Sequence, residues 1–344
     1  MKIVIDDKIP YIREAISRIT PDAVYIKGTE ISAADVRDAD ALIVRTRTRC
    51  NEALLEGSRV QFVATATTGF DHIDTGYLRQ SHIEWMNCPG CNASSVAQYV
   101  RSVLLLLKRD KGFDLSRTTL GIVGCGHVGA KVKAAAQALG MSTLVCDPPR
   151  QQRGDEGEFV DIDTIERLSD VITFHVPLTI GGAYATHHMA DEGFFSRLER
   201  RPVVINSSRG AVADNIALTE AIDSGKIRAA VVDTWENEPL INRRLLGKAW
   251  IATPHIAGYS ADGKVNADNM VIAGLCRHFG IEAQPVIAPP PLPYTFIACD
   301  NEDELNLRLY NPLEDSARLK AAPESFEELR GNYPLRRETY TRNA

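Results

Sequence analysis

Short, mainly apolar runs alternate along this chain with stretches in which apolar residues recur every three or four positions. The runs at 2–6, 24–26, 41–45, 62–66 and 83–87 have the length and composition of buried strands. Helical spacing predicts helices over 11–19 and 51–55, the second with Asn51 at its start. Such alternation predicts a parallel sheet with helices on its faces. The segment NCPGCNASS interrupts the pattern, and 95–108 then shows the apolar face of a long helix leaving the first domain. A cleaner series begins at Thr118. Strands are predicted at 119–123, 142–146, 171–175, 203–206, 229–232 and 249–251, with helices between most of them, notably 128–139 and 215–224. Six strands connected in this way predict a doubly wound sheet. Residues 262–279 read as a further long helix that would return the chain to the first domain. The proline-rich 284–293 reads as a linker, and the polar, weakly patterned residues beyond it as a small appended domain.

The fold class expected is therefore α/β, with two doubly wound parallel-sheet domains and a small C-terminal α+β appendage. The boundaries expected are 1–94 (completed by about 260–285), 95–259 and 286–344.

Composition narrows the partners. With 44% hydrophobic and 24% charged residues the chain has the make-up of an ordinary globular protein. Lys and Arg number 39 against 45 Asp and Glu, a net charge of −6, which argues against nucleic acid or an anionic membrane held by bulk charge. A local basic pocket for an anionic metabolite stays compatible with it. The start, MKIVIDDKIP, lacks the apolar core of a signal peptide, and the longest apolar run, Val103 to Leu107, is far too short to cross a bilayer. Seven scattered cysteines suit a reducing compartment, so a cytoplasmic location is expected. Cys88-Pro89-Gly90-Cys91 has CxxC spacing, but no second ligand pair follows, so it is read as a turn with two incidental thiols and no metal is expected.

Residues 119–129, TLGIVGCGHVG, form a strand, a GxGxxG turn and a helix start. Gly124 permits the tight turn, Gly126 lets a pyrophosphate approach the backbone, and Gly129 lets helix pack against strand. His127 and Val128 carry the first free amides of the helix, which face the phosphates. Asp147 ends the next predicted strand, where a carboxylate accepts ribose hydroxyls and repels a 2′-phosphate, so NAD is the expected cofactor. Arg150, three residues on, leaves a phosphate contact open.

In such a sheet the ligand lies beyond the carboxyl ends of the strands. An arginine (Arg209), a carboxylate (Glu238) and a histidine (His255) follow three successive strands there. Together they suit hydride transfer at a 2-hydroxy acid. His255 takes the hydroxyl proton, Glu238 fixes its tautomer, and Arg209 binds the substrate carboxylate through two hydrogen bonds. Taken singly, each has a bland reading: a surface ion pair for Arg209, a turn cap for Glu238, a structural role for His255. Their joint occurrence in one nucleotide domain favours catalysis.

The motifs GIVGCGHVG, NSSRGAVAD, VVDTWENEP and TPHIAGYS, in this order, resemble those of the D-isomer-specific 2-hydroxyacid dehydrogenases over roughly residues 1 to 290. The resemblance extends loosely into the tail through SFEELRGNYPLRRE. It implies a substrate domain in the first part, a Rossmann NAD domain in the second and a dimerisation segment at the end. It assigns Arg209, Glu238 and His255 as the catalytic trio. It also sets Asp147, Val176, Asp233 and Gly258 at cofactor positions, and Thr46, Thr67 and Tyr259 at substrate positions. The partners it implies are a small anionic phosphorylated hydroxy acid and, as a homodimer, a second copy of the chain. The sequence departs from the family pattern at Val176, where threonine is usual, at Ser207-Ser208, where Ala-Cys is usual, and in a tail shorter than the usual dimerisation domain.

VRTRTR (Val44 to Arg49) offers three guanidiniums at a predicted strand end. Arg45 or Arg47 is the candidate phosphate contact. Asp71 and Asp74 are expected to shape the neighbouring turn. Two rival readings remain at this point: a sister dehydrogenase for another acid, of phosphoglycerate or glyoxylate type, and a catalytically silent NAD-sensing scaffold.

Overall fold

Every strand of the first sheet is four residues or fewer, and alternate residues feed two separate cores. In this computed structural model, which describes residues 1–292 and 299–339, the strands are β1 (Ile3–Asp6), β2 (Ala23–Ile26), β3 (Ala41–Val44), β4 (Phe62–Thr65) and β5 (Glu84–Met86). They run parallel in the order β2-β1-β3-β4-β5. Ile3, Ile5, Ile43, Phe62 and Ala64 pack on one face with Val271 and Leu275 of the long helix Ala261–Phe279. Val4, Leu42, Val44 and Val63 pack on the other with Val36, Leu54 and Leu78. Burial on both faces is why β1, β3 and β4 read as nearly unbroken apolar runs, whereas the edge strands β2 and β5 are only partly buried.

The second sheet contains β6 (Thr119–Val123), β7 (Ser142–Cys146), β8 (Val171–Phe174), β9 (Val203–Asn206), β10 (Ala229–Val232) and β11 (Ile251–Ala252). All are parallel, in the order β11-β10-β9-β8-β6-β7. The chain goes to one side from β6 to β7 and to the other from β7 to β8, so the topological switch point lies at the carboxyl ends of β6 and β8. The helices Ala93–Lys111 and His127–Ala138 cover one face through Tyr99, Val103, Leu106, Val132 and Ala136. Ile165, Phe194, Leu218 and Leu245 cover the other.

The chain divides into two compact units: residues 1–92 with 260–293, and residues 93–259 with 294–344. The long helix over 261–279 thus counts with the first sheet. The C-terminal part differs from expectation. The sequence pattern predicts a small α+β domain over 286–344, but the described residues 299–339 hold helices and no strand, and they count with the second unit. The reason is a shared core and a shared edge. Leu319 and Phe326 are fully buried in the second unit's core, and the amide of Ala252 on the edge strand β11 donates to Ser316 Oγ at 2.9 Å. Ser102 Oγ donates to the Tyr310 carbonyl at 2.9 Å, tying the same segment to the long helix Ala93–Lys111. An exposed sheet edge is thereby covered. The last linker residue, Pro293, and the tail residues 293–298 and 340–344 lie outside the described residues.

Candidate active site

At the carboxyl end of β6, Gly124 takes a φ of +86°, which glycine alone adopts without strain. A Cβ there would sit 2.6 Å from the His175 carbonyl oxygen and 2.7 Å from Val176 Cγ1, so the turn lies against the start of the loop after β8. A Cβ on Gly129 would sit 2.1 Å from the Gly124 carbonyl oxygen, which sets the closeness of helix to strand. Gly126 differs. A Cβ there would meet no protein atom within 4 Å, and Gly126 and His127 are exposed, so the outer rim of the turn is open backbone at the N-terminus of the twelve-residue helix. Val128 is half-buried beside them.

Asp147 follows β7, and its carboxylate is held in place by accepting from the Cys125 amide at 2.7 Å and the Arg150 amide at 3.1 Å. Arg150 is occupied within the protein: Nη1 donates to the Cys125 carbonyl at 2.8 Å and Nε to Asp155 at 2.8 Å. The arrangement fits an adenine dinucleotide with a free ribose 2′-hydroxyl. Replacing Asp147 by Ala is expected to reduce the preference for NAD over NADP by roughly 10- to 100-fold, from KM values for both dinucleotides. An unchanged ratio would remove Asp147 from cofactor selection.

The three loops after β9, β10 and β11 are stitched together. Asn206 Oδ1 accepts from the amide and hydroxyl of Ser208 at 3.2 and 2.9 Å, and Asn206 Nδ2 donates to the Arg209 carbonyl at 3.0 Å. Arg209, half-buried, folds one nitrogen back to the Ser208 carbonyl at 2.9 Å. Gly210 permits the next contact, since a Cβ there would lie 1.9 Å from the Trp235 carbonyl oxygen.

Asp233 is wholly buried at the end of β10. Its carboxylate accepts from Thr253 Oγ1 at 2.6 Å, the Ile256 amide at 2.8 Å and the Ala257 amide at 3.0 Å. Burial raises its pKa, against the charge of His255 and these hydrogen bonds. The resemblance put Asp233 at a cofactor position; in the structure its carboxylate shapes the 253–257 loop. Tyr99, fully buried, shares a 3.0 Å hydrogen bond with Thr253 Oγ1 and extends that network into the long helix Ala93–Lys111.

His255 sits on this loop with a φ of +56°. Its Nδ1 lies 2.8 Å from Glu238 Oε2 and 3.0 Å from Oε1, and Oε1 also accepts from the Trp235 amide at 3.0 Å. Burial works to raise the Glu238 pKa, but His255, the Trp235 amide and Arg330 together hold it below the usual range. The imidazole keeps 32% of its side-chain surface accessible, against 18% for Glu238, so the pair is anchored on one side and open on the other. A carboxylate on Nδ1 puts the ring proton there and leaves the Nε2 lone pair as the base.

The first unit carries the other predicted substrate residues. In VRTRTR, Thr48 turns inward and donates to the Gly28 carbonyl at 2.8 Å, while Thr46, Arg47 and Arg49 are exposed. Arg45 is half-buried, with Nη1 3.2 Å from the Lys8 carbonyl. Thr67 belongs to a chain of hydrogen bonds, 2.7 Å to Thr65 Oγ1 and 2.7 Å to the Gly69 carbonyl, with His72 Nε2 3.0 Å from the same Thr65 hydroxyl. Burial pushes the His72 pKa down to about 4, so the ring is neutral near neutrality. Asp74 caps the helix Thr75–Gln80 by accepting from the Tyr77 amide at 2.9 Å, as a turn-shaping role requires. The thiols of the CxxC segment are buried. Cys88 Sγ donates to the carbonyls of Thr65 and Ala267, both at 3.4 Å, and burial raises its pKa.

The second unit thus holds the glycine turn, Asp147, Val176, Arg209, Asp233, Glu238, His255, Gly258 and Tyr259, and the first holds Arg45, Thr46 and Thr67. Sequence reasoning did not assign Tyr99 and Thr253, or the two tail arginines, Arg330 and Arg336, that reach the His255 loop. The tail motif SFEELRGNYPLRRE contained both arginines, but their targets lie at least 70 positions earlier in the chain.

Residues 94–257 match the family model described as D-isomer specific 2-hydroxyacid dehydrogenase, NAD binding domain. An erythronate-4-phosphate dehydrogenase of Bacteroides thetaiotaomicron is 54% identical, covering 98% of this chain and 97% of its own. The protein of the same name from Porphyromonas gingivalis is 43% identical, covering 98% and 94%. That from Escherichia coli is 41% identical, covering 98% and 92%. Among solved structures, Aquifex aeolicus D-lactate dehydrogenase complexed with NAD and lactic acid superposes with a TM-score of 0.68 at 25% identity, covering 81% of this chain and 96% of that one. NAD-bound 3-phosphoglycerate dehydrogenase of Entamoeba histolytica gives 0.68 at 26% identity, covering 81% and 95%.

Proposed function

The chain belongs to the D-isomer specific 2-hydroxyacid dehydrogenase family, and from that premise we propose that it oxidises 4-phospho-D-erythronate to 3-hydroxy-2-oxo-4-phosphooxybutanoate with NAD, a step in making vitamin B6. The observation that carries the reading is the His255–Glu238 pair, 2.8 Å apart across the loops after β11 and β10 of an NAD-type sheet, with Arg209 on the loop after the next strand, β9. The substrate identity comes from relatives of that name at 41–54% identity over nearly the whole chain.

The residues divide the work. Arg209 binds the substrate carboxylate and withdraws charge from the carbon that becomes the ketone. His255 accepts the C2 hydroxyl proton at Nε2. Glu238 stabilises the imidazolium that results and holds the ring in the productive tautomer. Gly124, Gly126, His127, Val128 and Gly129, with Asp147 for the ribose, would hold NAD, which would supply the acceptor for the hydride leaving C2. Val176 would offer this cofactor apolar contact and Gly258 close backbone approach. Thr46, Thr67 and Tyr259 offer hydroxyls to the substrate, and Arg45 or Arg47 a guanidinium to its phosphate. The protein works in the cytoplasm as a homodimer, with no nucleic acid or membrane partner.

The test is a substrate panel on the purified chain. NADH should form with 4-phospho-D-erythronate and at least about 100-fold more slowly, in kcat/KM, with unphosphorylated erythronate, since the charge-assisted contacts of the phosphate would be lost. Turnover of phosphoglycerate or glyoxylate-type acids without phosphoerythronate activity would move the chain to a sister enzyme. NAD binding with no turnover of any acid would leave a scaffold.

A further inference from the structure

The C-terminal segment does more than cover a sheet edge. Phe326 begins the short helix Phe326–Gly331 and is fully buried, with Leu329 packed on the same core, and this anchors the helix end that carries Arg330. The Arg330 side chain is only 13% exposed. Its Nη1 lies 3.8 Å from Glu238 Oε2 and 3.7 Å from Glu327 Oε1, and its guanidinium lies 5.7 Å from the centre of the Tyr259 ring, whose hydroxyl it hydrogen-bonds. Six residues on, Arg336 is 4% exposed and donates to the carbonyls of Ile256 at 3.2 Å and Ala257 at 2.6 Å, fixing the backbone just after His255. The Glu238 carboxylate therefore has both the imidazole and a guanidinium within 4 Å of Oε2.

We propose that Arg330 is a positioning residue of the proton-transfer pair: it keeps Glu238 anionic and aimed at His255 Nδ1, and it makes the pair give up its proton more readily. This rests on the reading of His255 as the base. A cation beside a coupled carboxylate–imidazole pair disfavours the protonated pair as a whole. Alcohol oxidation needs His255 neutral, so the cation extends the working range toward lower pH. The charged and titratable groups facing the pair from the surrounding elements are Asp233 beneath the loop, Tyr259, Glu327, Arg336 on the carbonyls of Ile256 and Ala257, and Arg330 itself. Of the two cations, Arg330 lies within 4 Å of the Glu238 carboxylate, while Arg336 is held on backbone carbonyls. A buried guanidinium is costly unless paired, and two carboxylates and a tyrosine here do the pairing.

The measurement is an NMR titration of the His255 ring in the full chain without substrate, its signal assigned by comparison with His255→Asn. In Arg330→Met the midpoint should rise by about 0.5 to 1 unit, while Arg330→Lys, which keeps the charge, should stay within about 0.2 unit of the parent. The acid limb of kcat/KM for oxidation should move upward with it in Arg330→Met and not in Arg330→Lys. A role confined to packing predicts lower melting temperatures with unmoved midpoints, and that result would overturn the proposal. So would equal shifts in Met and Lys variants. Should Arg330→Met fail to fold, Glu327→Gln removes the competing carboxylate and should lower the midpoint; a rise or no change would count against Arg330. Because the titration needs no substrate, a chain inactive on phosphoerythronate would sink the substrate reading and leave the Arg330 assignment to its own test.

Discussion

Replacing His255 by Asn should lower kcat/KM for alcohol oxidation by about 10³- to 10⁴-fold, the usual worth of a positioned general base. Affinity for NADH, measured by fluorescence titration, should stay within about twofold, since the glycine turn and Asp147 lie on other loops of the sheet. The separation of these effects is the point of the experiment. His255 is not needed to build its own loop. That loop is set by backbone groups, with the His255 amide donating to the Asp233 carbonyl at 2.8 Å and the next two amides held by the Asp233 carboxylate. Near-normal turnover in the variant would assign the proton to another group.

The second large effect is expected on the cofactor side. Gly129→Ala would place a Cβ 2.1 Å from the Gly124 carbonyl oxygen, which is backbone and cannot swing aside. Either the helix His127–Ala138 moves off β6 or the turn at Gly124 opens, and each displaces the amides proposed to bind pyrophosphate. Overpacking of this type costs about 1 to 3 kcal/mol of stability. NADH binding should weaken by at least about 100-fold, because misplaced phosphate donors lose most of a charge-assisted site. Gly126→Ala is the control for protein packing: a Cβ at Gly126 meets no protein atom within 4 Å, so the fold should keep its stability while cofactor binding still suffers. An intact melting temperature and intact NADH affinity in Gly129→Ala would contradict the pairing of helix and turn on which the cofactor site rests.

Most of the fold was legible because its central strands are buried on both faces. β6, β7, β9 and β10 occupy the predicted residues, since each apolar run stops where polar loop residues begin. β11 was less clear. A strand was expected at 249–251, but only Ile251 and Ala252 pair with β10, and Ala249 caps the preceding helix. At a sheet edge, pairing is short and tertiary packing decides the register. The catalytic loops were visible because strand ends in a doubly wound sheet converge by topology. The reach of Arg330 and Arg336 was not, because no local period records a contact between the tail and a loop some 80 to 90 residues earlier. Nor does sequence pattern show that the Asp233 carboxylate accepts from two amides and a hydroxyl of the 253–257 loop, since those bonds leave no local signature. In VRTRTR, alternation alone could not say which side turns inward; Thr48 does so through the Gly28 carbonyl.

Isotope transfer gives the most direct check that these loops perform hydride chemistry at a hydroxyl-bearing carbon. With 4-phospho-D-erythronate deuterated at C2, mass spectrometry of the dinucleotide should find the deuterium in NADH in stoichiometric amount, and none of it in water. Deuterium released to solvent, or substrate recovered unchanged with label in place, would contradict the account.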